Sequence, residues 1–131
     1  MEKERNVLAH RSEDGRQQTI LEHLTGTAKR SVTFAKAFHG EQQAELVGLA
    51  HDIGKYSEAF QRRIRGGKES VDHSSAGMVE CWKRRQLTAA FAVAGHHGGL
   101  PDLGSRTDAL DKGTLLARLE RAKQIGLDPY E

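Results

Sequence analysis

Apolar residues recur three or four apart at Ile20, Leu24, Ala28, Val32, Ala35 and Phe38, the repeat that gathers side chains on one face of an α-helix. It predicts a helix from Thr19 that ends at Gly40. A second repeat, Leu46, Leu49, Ala50 and Ile53, predicts a helix from about Glu41 to Ile53 with Gly54 as its C-terminal cap. Ser57 is placed to cap a short third helix carrying Phe60 and Ile64 inward and ended by Gly66-Gly67. Ser74 or Ser75 is placed to cap a fourth through Met78, Val79 and Trp82. Thr88 to Ala94 is almost wholly apolar and reads as a short central helix. After a polar loop to about Lys112, Leu115, Leu116, Leu119, Ala122 and Ile125 predict a last helix, stopped by Gly126. Residues 1–18 are polar, broken by Gly15, and read as an irregular arm containing His10. The pattern is that of an all-helical bundle.

Composition narrows this picture. A chain of 131 residues suits a single domain, taken as 1–131. Only 5% of it is aromatic, and Phe34, Phe38, Phe60, Phe91 and Trp82 read as core residues. No apolar run approaches the ~20 residues of a membrane helix, and Met1-Glu2-Lys3-Glu4-Arg5 leads into no signal-peptide core. The single cysteine, Cys81, reads as a small buried hydrophobe and fits a cytoplasmic chain. A net charge of +2 is too mild to imply a nucleic-acid partner by itself.

The histidines change the reading. His51-Asp52 stands at the end of the mostly buried second helix, where an ionised carboxylate needs a partner. Lys55 is one candidate and a metal ion a better one. His23 lies beside the buried stripe of its helix, His73 at the entrance to another, and His96-His97 between glycines at the end of the apolar one. Imidazole and carboxylate ligands without thiolate suit Fe, Mn, Co, Ni or Zn. Six such groups exceed the needs of one ion and point to two divalent ions sharing Asp52, the arrangement that clamps both oxygens of a phosphoester displacement. The lack of cysteine pairs excludes a zinc finger. Arg62, Arg63, Arg65 and Lys68 form a basic run that is a solvated face or, beside a metal site, a rim that attracts phosphates.

In Leu8-Ala9-His10, Glu22-His23-Leu24, His51-Asp52-Ile53-Gly54-Lys55, Asp72-His73-Ser74 and Gly95-His96-His97-Gly98-Gly99-Leu100-Pro101, taken in order, the chain resembles the HD superfamily of metal-dependent phosphohydrolases. More narrowly it resembles the HD nuclease domain of the CRISPR-associated nuclease-helicase of type I systems. The resemblance implies an HD-domain helical bundle that cleaves single-stranded DNA unwound by a helicase domain, in partnership with a CRISPR effector complex. It also implies roles. His23, His51 and Asp52 would hold one ion and His73, His96 and His97 the other, with Asp52 bridging and Lys55 near the scissile phosphate.

The family pattern adds a final Asp downstream of the paired histidines, and the chain reaches Glu131 before that region, so a C-terminally shortened domain with three protein ligands on the first ion is expected. Asp102, Asp108, Asp111 and Asp128 are poorly placed to substitute. Two other readings stand beside the nuclease. One is an HD nucleotide phosphohydrolase, which would need an aromatic-walled pocket. The other is a catalytically impaired module with a binding or regulatory role in a CRISPR complex.

Overall fold

A computed structural model describes residues 7–130; the charged run 1–6 and Glu131 lie outside the described residues. Six α-helices and one two-stranded hairpin make up the regular structure among them: β1 (Leu8–Arg11), β2 (Gln17–Thr19), α1 (Ile20–Ala35), α2 (Glu41–Ala50), α3 (Glu58–Ile64), α4 (Ser74–Lys83), α5 (Leu87–Gly95) and α6 (Leu115–Ile125). The helical bundle expected from the sequence is present. The arm expected to be irregular is instead the hairpin. β1 and β2 pair antiparallel, with Leu8 opposite Thr19 and His10 opposite Gln18. The extra residue, Ala9, makes a bulge, so Leu8 and Ala9 are both buried in succession where a regular strand would alternate. The Gln61 side chain on α3 accepts from Leu8 N (3.0 Å) and donates to Leu8 O (2.9 Å), tying the strand to the bundle.

Thr19 opens α1 with a capping box: its hydroxyl accepts from Glu22 N while the Glu22 carboxylate accepts from Thr19 N. The helix ends at Ala35, five residues before Gly40. A 3-10 turn over Lys36–Phe38 follows, and the reversal is made by His39 at φ 59°, a residue type that tolerates the left-handed region. This change of periodicity turns Phe38 outward, and Phe34 stands off the stripe of Ile20, Leu24 and Ala28; both are exposed, as is much of Trp82, contrary to the expected core positions.

α2 is clasped between α1 on one side and α4 and α5 on the other. Gly48 faces α1 and Ala50 faces the central core, so Leu49, expected to point inward, is left on the outer side. Ile125, expected to be inward on α6, is likewise exposed at the end of its helix. The main core gathers Ala50, Met78, Cys81, Ala90, Val93 and Leu115. Burial pushes the Cys81 thiol up to about 11, leaving it inert. A second, smaller core holds Ala9, Ile20 and Leu24, with Ile53 packed against it. His51-Asp52 lies where the chain passes from one core to the other.

Candidate metal centre

α2 stops at Ala50, three residues sooner than the apolar repeat suggests. His51 keeps helical angles, Asp52 departs at φ −120° and ψ 20°, and Ile53–Tyr56 form a 3-10 turn. Gly54 therefore does not cap the helix; it is the contact point with the backbone before α4. A Cβ there would stand 2.5 Å from the His73 carbonyl oxygen and 2.8 Å from His73 Cα. The missing side chain lets the His51-Asp52 turn and His73 meet.

At α4 the expected serine cap is also displaced. The backbone cap is His73, and the capping side chain is that of Asp72, which accepts from Ser74 N (3.0 Å) and Ser75 N (3.1 Å). Its carboxyl lies below the usual range because, against burial, Ser75 and the two amides hydrogen-bond to its charged form. His96 follows α5 directly.

Asp52 is 4% exposed, and its two oxygens face different partners. Oδ2 stands 2.9 Å from His23 Nε2, 3.3 Å from His51 Nε2 and 3.1 Å from Lys55 Nζ. Oδ1 stands 3.1 Å from His96 Nε2 and 3.4 Å from His73 Nε2. His73 Nε2 in turn lies 2.6 Å from His97 Nε2. Two groups result, His23 with His51 and Asp52, and Asp52 with His73, His96 and His97, the candidate ligand atoms of each lying within 4.8 Å of one another. All six residues singled out in the sequence are brought together.

The donor set fits metal ions. His51 Nδ1 donates to Gly48 O (2.8 Å) and His96 Nδ1 to Val93 O (2.6 Å), which fixes the tautomer and turns a lone pair on each Nε2 inward. Ligands held ~2.0–2.2 Å from one ion stand roughly 2.9–3.5 Å from each other between octahedral and tetrahedral angles. The contacts of Asp52 with His23, His51, His73 and His96, 2.9–3.4 Å, fall in that window. Burial works to raise the Asp52 pKa, but the close His51 and His96 side chains and the charge of Lys55 outweigh it and keep the carboxylate ionised.

Lys55, also buried, donates to Ala9 O (3.3 Å) as well as pairing with Asp52. It is the partner the carboxylate needed. With Arg11, Arg63, Lys68, His73 and His97 it lines a cleft of about 490 Å³ beside the second cluster. The other two basic positions diverge: Arg62 and Arg65 border a separate depression with Glu58 and Gln61. Asp108 accepts from Ser105 N (2.9 Å) and the Thr114 hydroxyl (2.8 Å) and belongs to neither cluster. His10, placed by the sequence in a loose arm outside the packed helices, stands edge-on to His23 with centroids 4.7 Å apart. Its neighbour Arg11 reaches the cleft. The available signal for this hairpin was the Asp14-Gly15 turn.

Burial lowers the pKa of His10, His23, His73 and His97, while the hydrogen bond with Asp52 raises that of His96. A lowered group is stable above its unfolded value of 6.5 and loses that stability as pH falls through its folded pKa. His96 acts in the opposite sense, contributing below 6.5 and losing its share as pH rises through its folded value. With four groups against one, thermal melts of the metal-free protein should show a lower Tm at pH 5.5 than at pH 7.5. A higher Tm on acidification would contradict this balance.

A helical bundle that turns a His-Asp pair and four further imidazoles toward one centre is the architecture of an HD-type metal-dependent phosphohydrolase. Residues 7–125 match the family model described as Cas3, HD domain. The chain belongs to this family, which places it with the metal-dependent HD nuclease domains of CRISPR systems. No curated protein matches it in sequence. No described helix is long and apolar enough to cross a membrane.

Proposed function

We propose that residues 1–131 act as a single cytoplasmic two-metal nuclease domain that hydrolyses phosphodiester bonds of single-stranded DNA in type I CRISPR interference. A helicase domain would supply the strand and a CRISPR effector complex the target. The observation that carries this reading is the division of Asp52, one oxygen toward His23 and His51 and the other toward His73 and His96. His23, His51 and Asp52 would hold one divalent ion; Asp52, His73, His96 and His97 would hold the second. Two such ions, when bound, activate water and stabilise the leaving oxygen. The chain itself fixes the imidazole tautomers through Gly48 O and Val93 O, and Lys55 keeps Asp52 charged and aimed.

The cleft bordered by Arg11, Arg63 and Lys68 opens beside the second cluster and suits a phosphate backbone. The direct test is a nuclease assay on single-stranded DNA with Mn2+, against chelator and an Asp52→Asn control. Cleavage lost in both controls is expected; a fully metal-loaded protein that leaves the strand intact would sink the reading. DNA binding should also divide the basic residues. Arg63→Ala with Lys68→Ala should reduce the slope of log K against log salt by about 0.7 per lost phosphate contact. Arg62→Ala with Arg65→Ala should change it less, and equal changes in both pairs would refute the assignment of the cleft.

A further inference from the structure

One side chain outside both clusters holds the two segments that carry the second. Arg118, on α6, sends one guanidinium nitrogen to Ala94 O (2.7 Å) and another to Ser74 Oγ (3.1 Å). Ala94 lies two residues before His96, and Ser74 directly follows His73. Ser74 Oγ in turn donates a hydrogen bond to Asp72 Oδ1 (3.2 Å), the carboxylate that caps α4. The Ala94 carbonyl belongs to the last turn of α5, where backbone acceptors lack intrahelical partners and a cation is favoured. Val93 O, the neighbouring carbonyl, accepts the hydrogen bond from His96 Nδ1. Arg118 and His96 thus share the open end of one helix.

We propose that Arg118 is a positioning residue for the second metal site. Its planar fork fixes the distance between the start of α4, which sets His73, and the end of α5, which sets His96 and His97. The inference rests on the two-ion reading given above. A guanidinium suits the task because its donors have fixed relative directions, whereas a lysine ammonium on a flexible stem lacks that fork. None of the hydrogen bonds of Arg118 reaches His23, His51 or Asp52, so its removal should act on one ion and spare the other.

The test is metal titration of the whole chain with Co2+, following both stoichiometry and the visible spectrum, for the wild type, Arg118→Met, Arg118→Lys and Ser74→Ala. The wild type should take up two ions. Arg118→Met should keep one at unchanged affinity and bind the other roughly 10–100-fold more weakly, the usual loss when an outer partner of a metal site is removed. Arg118→Lys and Ser74→Ala should fall between, and they carry the test if Arg118→Met does not fold. A purely structural role would lower the Tm of the metal-free protein and weaken both ions together. That outcome, or two ions bound at wild-type affinity in every variant, overturns the positioning role and leaves the two-ion reading intact. A wild type that binds a single ion overturns both.

Discussion

Asp52→Ala is expected to lose both metal ions, whereas any single His→Ala among the ligands should keep at least one. Each imidazole faces one cluster, while the carboxylate presents Oδ2 to His23 and His51 and Oδ1 to His73 and His96. The same substitution leaves the Lys55 ammonium buried beside a cavity without its anionic partner, held by the Ala9 carbonyl and the face of the Phe60 ring 5.3 Å away. Breaking a buried pair from one side costs about 3–5 kcal/mol. The metal-free variant should therefore melt earlier as well as fail to bind. Elemental analysis after metal loading checks the first effect and thermal melting the second. Asp52→Asn separates them, since an amide keeps the shape but not the charge that binds cations. Normal metal content in either variant would remove the bridging role.

How much of this was legible beforehand depends on what each residue had to signal. The helical repeats of Ile20, Leu24 and Ala28, and of Leu115 and Leu119, carry their own period, so those helices could be read directly. The ligands were legible because histidines between glycines, or at helix ends, have little packing to explain them. The hairpin was not, because Gln17-Gln18-Thr19 offers no apolar alternation and its attachment depends on the distant amide of Gln61. The end of α2 was hidden for a related reason. Ile53 continues the apolar repeat but packs into the smaller core, and the turn after Asp52 lies against the backbone of His73, some twenty residues on, at Gly54. No motif or spacing marks Arg118, because its two acceptors, Ala94 O and Ser74 Oγ, are brought to it only by tertiary packing.

Gly77→Ala should be the most damaging single-methyl change in the helices. α4 crosses the end of α2 so closely that a Cβ at Gly77 would overlap the Ala50 carbonyl oxygen and stand 2.9 Å from Val93 Cγ1. Backbone cannot step aside as a flexible side chain can, so α4 must move away from α2 or the helices must shear. Overpacking of this kind costs about 1–3 kcal/mol and occasionally more. At roughly 3–6 °C per kcal/mol for a domain of this size, the Tm should drop by several degrees at least. The displacement also carries His73 away from Asp52, because His73 leads into α4 while Ala50 immediately precedes His51. Metal titration should then show the second ion weakened more than the first. An unchanged Tm with both ions bound normally would mean that the helices do not meet at this point.

The central claim is that one carboxylate joins two metal sites, and anomalous diffraction from crystals of the wild-type chain loaded with Mn2+ or Co2+ tests it most directly. The account predicts two peaks about 3.5–4 Å apart, one beside His23 and His51 and the other beside His73, His96 and His97, with Asp52 bonded to both. A single peak, or two peaks of which only one touches Asp52, would contradict it.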